Sequence, residues 1–380
     1  MKACVINDFA MICNLGSAPD TILGALDSGC YGPMPGMMVS GRSVPVGQVS
    51  ESLPEIQETE WDTRTNALLL SVLERLRSSW SQVSPERLGV VIGTSNSGIQ
   101  EYHESWQQHG ITKTGLHQLE VGNAARFVSH MTGAQGPCYA LSTACSSSAK
   151  ALASAARLLE YGVCDAVIAG GGDGLCDYAL QGFDALQLIS NERCTPFTLQ
   201  GGGVNHGEGA ALFVLTRREP QSGDIMLAGY GETADAYHTT TPEPEGIQAV
   251  RAMQLAMDMA GVSASDIDYV NLHGTGTDAN DSMELNAMRR IFGENQPPCG
   301  STKAYTGHTL GAAGALEAAI CSALLQRCNT KLPAQTWLKD VSLPSGINFS
   351  AESTRPLRHC ISNSFAFGGN NIALLLSRHD

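Results

Sequence analysis

Four runs of almost unbroken apolar residues limit what this chain can fold into more than any other feature. They read LGVVIGT at 88–94, DAVIAG at 165–170, GAALFVLT at 209–216 and NIALLLS at 371–377. Strands covered on both faces have such sequences, whereas a strand with one solvated face alternates between apolar and polar residues. Segments with apolar residues at helical spacing separate the runs in both parts of the chain. The pattern predicts a layered α/β fold.

The length of the chain indicates two similar halves. With 380 residues it exceeds what one simple core buries, so we expect two domains or two halves of a layered body. The alternation of strands and helices repeats in the second part, and no low-complexity linker separates the parts. We therefore divide the chain into residues 1–220 and residues 221–380, and we expect both to share one body.

Charge and hydropathy exclude several classes of partner. The formal net charge is −14 and no block of lysine and arginine is present, which argues against a nucleic acid or an anionic membrane surface as partner. The long apolar stretch 151–170 is interrupted by Arg157, Glu160 and Asp165, so we expect no membrane span.

The cysteines indicate the cellular compartment. The twelve cysteines form no CxxC pair and have no regular spacing, so neither a zinc site nor a disulfide framework is predicted. A reduced, cytoplasmic compartment fits this usage. The N-terminal sequence MKACVINDFAMICNLG is broken by Asp8 and does not read as a signal peptide.

One cysteine stands at a junction suited to nucleophilic chemistry. The stretch ALSTACSSSAK at 140–150 contains Cys145 in a turn-forming segment, and the segment from Ala149 to Glu160 is rich in helix formers. Free backbone N–H groups and the positive end of the helix dipole meet at such a site. Both favour the thiolate and can bind an oxyanion. The alternative for Cys145 taken alone is a small buried apolar residue.

Three further motifs change the interpretation of Cys145. They are NLHGTGT at 271–277, STKAYTGH at 301–308 with its lysine and histidine on one loop, and NSFAFGGNN at 363–371. In this order they resemble the β-ketoacyl-acyl-carrier-protein synthases of the thiolase fold, in particular the elongating Cys-His-His class. The resemblance implies two similar halves in α-β-α-β-α layers, with the nucleophile in the first half and both histidines in the second.

The resemblance assigns a chemical role to each motif. Cys145 is the nucleophile that receives an acyl group as a thioester. His273 and His308 are neutral imidazoles that stabilise the enolate formed when a malonyl thioester loses CO₂. Lys303 keeps the histidines neutral, and Glu317, fourteen residues further on, is expected to pair with it.

The remaining implied contacts concern the substrate. The backbone N–H groups of Cys145 and Phe367 are expected to bind the acyl oxyanion, because the glycines after Phe367 permit close approach. By resemblance, Thr275 and Thr277 hold the 4′-phosphopantetheine arm of an acyl carrier protein. No bound cofactor and no metal are expected, and the predicted partners are acyl carrier protein in its acyl and malonyl forms.

The sequence departs from the family pattern at several positions. The family's Pro-Phe-Asp and Arg-Asp residues are replaced within PFTLQGGG at 196–203, which removes an acid and an arginine near the pocket. Asp278 stands where proline is usual, and Tyr305 stands where methionine is frequent. These changes suggest a specialised synthase of a polyene or polyketide-like pathway, and a housekeeping synthase of fatty-acid biosynthesis is the alternative. The protein is then a homodimer, or a heterodimer with a related chain-length-determining subunit.

Docking of an acidic carrier requires a local basic patch on an acidic enzyme. Arg64 and Arg126 are the candidates, and ordinary surface charge is the alternative for each.

A catalytically silent partner subunit that shapes the product tunnel is a second hypothesis for the function, although the nucleophile and both histidines are present. A metal hydrolase using His273, His308 and Asp278 is a third, and it lacks a recognisable ligand spacing.

Overall fold

A computed structural model describes residues 3–198, 202–338 and 346–380. The strands in these residues are β1 (Ala3–Ile12), β2 (Gly36–Val39), β3 (Arg42–Pro45), β4 (Leu88–Gly93), β5 (Cys138–Leu141), β6 (Ala166–Asp173), β7 (Gly209–Arg218), β8 (Ile225–Ala234), β9 (Tyr269–Asn271), β10 (Cys299–Gly300), β11 (His359–Ala366) and β12 (Asn370–Arg378). The helices are α1 (Pro19–Ser28), α2 (Arg64–Leu73), α3 (Ile99–His109), α4 (Lys113–Leu119), α5 (Asn123–Thr132), α6 (Ser147–Glu160), α7 (Asp177–Ala185), α8 (Ile247–Ala260), α9 (Asp278–Phe292), α10 (Lys303–Thr306) and α11 (Ala313–Arg327).

Strand pairing repeats between the two parts of the chain. In the first part β5, β4 and β6 are parallel neighbours, followed by the antiparallel strands β7 and β1. In the second part β10, β9 and β11 are parallel neighbours, followed by antiparallel β12 and β8. The two sets join where Val5 and Ile6 pair with Met226 and Ile225. The expected pair of similar halves is therefore confirmed, while the domain boundary at 220/221 stays a prediction.

Three apolar clusters define the layers. The central cluster places α6 and α11 between the two sets of strands, with Ala153, Ala319, Phe213 and Leu374 completely buried in it. The second cluster packs α2 and α5 on the outer face of the first set of strands, and the third packs α8 and α9 on the outer face of the second set. The layers alternate as α-β-α-β-α, as the family resemblance implied.

The composition of α6 and α11 explains why they occupy the middle. Their sequences, SSAKALASAARLLE and AGALEAAICSALLQR, are dominated by alanine and other small residues that permit close helix approach. A Cβ atom built on Gly314 of α11 would lie 2.6 Å from the Cβ of Ala149 of α6. Among the described residues, no helix is both long enough and apolar enough to cross a membrane.

Candidate active site

The turn before α6 presents Cys145 to the interior. Ala144 has a φ of 52°, a left-handed conformation that is uncommon for a residue with a Cβ atom. The hydroxyl of Ser147 holds the turn by donating to the Ala144 carbonyl at 2.6 Å and accepting from the Thr143 N–H at 2.9 Å. Cys145 is only 5% exposed, and it lies two residues before Ser147, the first residue of α6. The thiol therefore has a fixed direction.

Both predicted histidines lie beside this thiol. His308 Nε2 is 2.9 Å from Cys145 Sγ, and the rings of His273 and His308 have centroids 5.4 Å apart at 84°. The backbone of His308 is held by a neighbouring segment, because its N–H donates to the Asn205 carbonyl at 2.7 Å and the N–H of Gly207 donates to the His308 carbonyl at 2.9 Å. Three chain segments thus converge on one sulfur atom.

Lys303 and Glu317 complete the cluster. Lys303 begins the short helix α10, where the sequence predicted a loop, and its side chain is 1% exposed. Its Nζ donates to the His273 carbonyl at 2.5 Å, lies 3.4 Å from His273 Nδ1 and pairs with Glu317 Oε1 on α11. An ammonium group has no acceptor, so His273 Nδ1 accepts and the proton of a neutral ring is carried on Nε2.

Both histidines are neutral at neutral pH. Burial lowers the pKa of His273 and of His308 well below the usual value, and the charge of Lys303 lowers both further. The sequence attributed this effect to Lys303, whereas burial is the larger cause. Burial also raises the pKa of Glu317 to about 7, an effect that Lys303 opposes.

The thiol of Cys145 differs from the sequence prediction. Burial raises its pKa to about 11, although Lys303 and the backbone N–H groups of Phe367 and Cys145 itself act in the opposite direction. The expectation that the helix start favours a thiolate was correct for the backbone groups and wrong for the net pKa, because desolvation outweighs them. In the free protein the thiol holds its proton, and His308 Nε2 is placed to accept it.

A second N–H group faces the sulfur from the loop between β11 and β12. Phe367 lies in this loop, and Gly368 and Gly369 follow it with φ values of 78° and 69°. Both glycines thus adopt the left-handed conformation that side chains disfavour, which brings the Phe367 backbone close to the sulfur. The ring of Phe367 stacks on Phe183 with centroids 5.2 Å apart. The two N–H groups form an arrangement suited to an oxyanion.

A cavity of about 470 Å³ opens onto these groups. Its wall includes Cys145, both histidines and Phe367. The predicted Thr275 and Thr277 also line it, and their hydroxyl oxygens are 2.9 Å apart. The other lining residues are Phe183, Leu186, Gln187, Leu188, Gly202, Gly203, Val204, Thr240, Thr241, Pro242, Asp278, Ala279, Asn280, Phe365, Ala366 and Gly369.

Sequence reasoning missed Glu284, which fixes the backbone at the first histidine. This completely buried carboxylate on α9 accepts from the N–H groups of His273 at 2.7 Å and Gly274 at 2.8 Å, and from the side chain of Asn363 at 3.2 Å. Burial raises its pKa to about 7. The available signal was an acidic residue flanked by the apolar residues Met283 and Leu285.

Side chains from two other segments bind the stretch near Phe197 that departs from the family pattern. The buried carboxylate of Asp281 accepts from the N–H of Phe197 at 2.7 Å and from the N–H of Gly276 at 3.3 Å. The indole of Trp337 donates to the Pro196 carbonyl at 2.9 Å. These bonds hold the described start of the segment, whereas residues 199–201, on which the missing acid and arginine in part fall, lie outside the described residues.

The two arginines proposed for docking have partners within the chain. Arg64 donates to both carboxylate oxygens of the buried Glu208, at 3.0 and 2.5 Å. Arg126 pairs with Glu120 and is 46% exposed. Among the described residues, the cavity wall includes neither arginine. Their role in docking stays a prediction.

The cluster also has the composition of a metal site. In the described part of the chain, Cys145, His273 and His308 place their ligand atoms within 4.8 Å of one another, and Asp278 is not part of this group. The ammonium of Lys303 lies 3.4 Å from a ring nitrogen of His273. A positive charge at this distance opposes a cation, so the group fits proton transfer and hydrogen bonding better than metal ligation.

Comparisons with known proteins agree with this geometry. Residues 47–221 match the family profile of the beta-ketoacyl synthase N-terminal domain, and residues 225–335 match that of the C-terminal domain. The chain is 31% identical over 394 aligned residues to nodulation protein E of Rhizobium sp. (strain N33), covering 97% of this chain and 98% of that protein. It is 38% identical over 276 residues to 3-oxoacyl-[acyl-carrier-protein] synthase 2 of Rhizobium meliloti (strain 1021), covering 68% of this chain and 65% of that relative.

A solved structure gives the same result at the level of the fold. The complex of a ketosynthase with its chain length factor from Xenorhabdus doucetiae contains a chain that superposes on this one with a TM-score of 0.90. The two chains are 39% identical, and the superposition covers 100% of this chain and 98% of that one. The chain therefore belongs to the β-ketoacyl synthase family of condensing enzymes and has their thiolase-like fold.

Proposed function

We propose that this protein is an elongating ketosynthase that condenses an acyl group on Cys145 with malonyl-acyl carrier protein. The observation that carries the proposal is the 2.9 Å contact between Cys145 Sγ and His308 Nε2 in a cavity that His273 also lines. A nucleophile, a proton acceptor and two N–H groups directed at one sulfur are the parts that acyl transfer requires.

Acyl transfer begins with loss of the thiol proton. His308 Nε2 accepts the proton as the sulfur of Cys145 attacks the carbonyl carbon of the carrier thioester, and the N–H groups of Cys145 and Phe367 stabilise the resulting oxyanion. The bond between the acyl carbon and the carrier sulfur then breaks. The carrier leaves as a thiolate that takes a proton from solvent, while His308 loses its Nδ1 proton to solvent and keeps the transferred proton on Nε2. The ring is then neutral and can donate from Nε2 in the next step.

Condensation uses the two neutral imidazoles. The malonyl carboxylate leaves as CO₂, and its bonding electron pair moves into an enolate whose oxygen accepts hydrogen bonds from His273 and His308. The enolate carbon attacks the acyl thioester, a carbon–carbon bond forms, and Cys145 leaves as the thiolate. Lys303 supports this step by fixing the tautomer of His273 through its contact with Nδ1, and Glu317 partly balances the lysine charge.

We also propose the substrate carrier and the partners. Thr275 and Thr277 line the cavity and would hold the phosphopantetheine arm, with Arg64 and Arg126 as candidate contacts for the carrier surface. The Xenorhabdus doucetiae complex of a ketosynthase with its chain length factor, one chain of which is 39% identical to this one, supports a heterodimer, and a homodimer is the alternative. Free cysteines throughout support a reduced, cytoplasmic compartment. We further propose that residues 1–220 and 221–380 are the two domains.

A chain-length-determining subunit without activity of its own is the second candidate function. The similarity to a complex containing such a subunit favours it. The assembled cluster of Cys145, His273 and His308 counts against it, since a subunit without catalysis has no need for all three in contact distance.

Intact-protein mass spectrometry after incubation with a panel of acyl-carrier thioesters tests the proposal. We expect the wild type to gain the mass of the acyl group and Cys145→Ala to gain none. Acylated wild type given malonyl carrier should then release the elongated β-ketoacyl product. Absence of acylation with every donor, both alone and with an added chain length factor, would reject the condensing function.

A further inference from the structure

The two proposed oxyanion donors come from separate segments. Cys145 stands at the start of α6, whereas Phe367 lies in the loop before β12. An oxyanion hole works only when both N–H groups lie about 3 Å from the oxygen that develops charge. The segments must therefore be held at a fixed separation, although the chain does not connect them locally.

The loop of Phe367 is fastened on one side to its own half of the chain. Gly368 donates to the Thr239 carbonyl at 2.7 Å, and the N–H of Asp235 donates to the Gly369 carbonyl at 2.9 Å. The side-chain amide of Asn371 donates to Asp235 at 2.6 Å. These bonds fix the loop relative to the segment after β8 but do not relate it to the helix that carries the nucleophile.

Lys150 provides a link to that helix. It lies on α6 five residues after Cys145, and its Nζ donates to Asn370 Oδ1 at 3.1 Å. Asn370 begins β12, three residues after Phe367. Lys150 is half-buried, so its ammonium gives up part of its hydration to make this bond. Ordering a long side chain also costs conformational entropy, which the contact has to offset.

We propose that Lys150 is a positioning residue that sets the separation of the two oxyanion donors through its bond to Asn370. The inference rests on the proposed condensing reaction. Loss of the bond between Lys150 and Asn370 should slow the steps in which an oxyanion forms at the acyl carbonyl. Decarboxylation of the malonyl group depends instead on His273 and His308, which the bond does not touch.

The test compares two half-reactions of Lys150→Met, which keeps the aliphatic stem. Acylation is followed by intact-protein mass spectrometry, and decarboxylation by CO₂ release from malonyl carrier without an acyl donor. We expect acylation to slow about tenfold or more while CO₂ release is unchanged. Lys150→Arg should restore most of the rate, and Lys113→Met on the exposed part of α4 should match the wild type. An equal fall in both half-reactions, or no fall, overturns the proposal.

The acceptor side gives a second, independent variant. Asn370→Leu should slow acylation as Lys150→Met does, and the double variant should be no slower than the slower single variant, because both remove the same bond. Additive losses overturn the proposal. If the wild type neither acylates nor releases CO₂, the condensing reaction itself is rejected; an active wild type with unchanged variants rejects the role of Lys150 alone.

Discussion

At the scale of single residues, the state of the thiol determines how the site starts its reaction. Burial holds the pKa of Cys145 at about 11, so nearly all of the protein carries the protonated thiol near neutral pH. His308 is neutral because burial lowers its pKa, and its Nε2 lies 2.9 Å from the sulfur. In the proposed mechanism, activation of the thiol is therefore coupled to proton transfer between these two side chains.

His308→Ala should make acylation strongly dependent on pH. Without the imidazole only the thiolate already present reacts, and its fraction rises about tenfold for each pH unit below the thiol pKa of about 11. The rate of acyl-enzyme formation, measured by mass spectrometry from neutral to alkaline pH, should rise steeply in the variant and weakly in the wild type. The exposed His109→Ala variant is the control. Equal slopes in wild type and His308→Ala would contradict the proton-transfer role.

At the same scale, Glu284 should make stability depend on pH. Its folded-state pKa of about 7 lies above the usual value of 4.5, so the native protein binds the proton more tightly than the unfolded chain. The stability contributed by the protonated carboxyl is complete below about pH 4.5 and is lost as the pH rises towards 7.

Glu284→Gln removes this titration. The loss in the free energy of unfolding between pH 5 and pH 8 should therefore be smaller in the variant than in the wild type, by on the order of 2–3 kcal/mol. Denaturant unfolding at both pH values measures the difference. The exposed Glu294→Gln should behave as the wild type does. The same pH dependence in Glu284→Gln and wild type would show that this carboxyl does not titrate in the interval.

At the scale of elements, the two central helices position the chemistry. Helix α6 presents Cys145 at its start, and α11 supplies Glu317 for the ion pair with Lys303. The helices approach closely because small residues face each other, as at Gly314 and Ala149. The geometry of the site therefore depends on the packing of this layer.

Gly314→Ala should destabilise the protein by about 1–3 kcal/mol. The added Cβ would lie 2.6 Å from the Ala149 Cβ and 2.9 Å from the Ala149 nitrogen, so one helix has to move. Gly182→Ala, at an exposed position of α7 where a Cβ meets nothing within 4 Å, should stabilise by about 0.5–1 kcal/mol. Thermal unfolding of both variants measures the contrast. A neutral Gly314→Ala would mean that the central layer is less tightly packed than the distances indicate.

At the scale of the whole molecule, both halves contribute to one site. The N-terminal half provides Cys145, and the C-terminal half provides the histidines and Phe367. The sets of strands join at the residue pairs between β1 and β8, and the central helices pack against both. A site divided in this way is lost when either half unfolds.

Unfolding should therefore be one cooperative transition. The midpoint measured by far-UV circular dichroism should coincide with the midpoint at which Cys145 becomes reactive to a thiol reagent, with Cys145→Ala correcting for the other cysteines. Exposure of Cys145 at a lower temperature than the loss of secondary structure would show that the halves unfold separately.

The sequence by itself determined the fold class and the chemical inventory of the site. Continuous apolar runs indicate strands that are buried on both faces. The order of the motifs around Cys145, His273 and His308 can be read from the sequence without knowing how the chain packs. The resemblance to the condensing enzymes also implied the pair of Lys303 and Glu317 that the structure contains.

Only the tertiary structure decided the electrostatics and the supporting contacts. The pKa of Cys145 depends on the protein atoms that replace water around it, and its position before α6 indicates only the smaller, opposing contribution. Glu284 and the bond from Lys150 to Asn370 join residues distant in the chain, so no local pattern identifies their partners. Local sequence specifies elements and reactive groups, whereas burial and long-range contacts arise when the chain is folded.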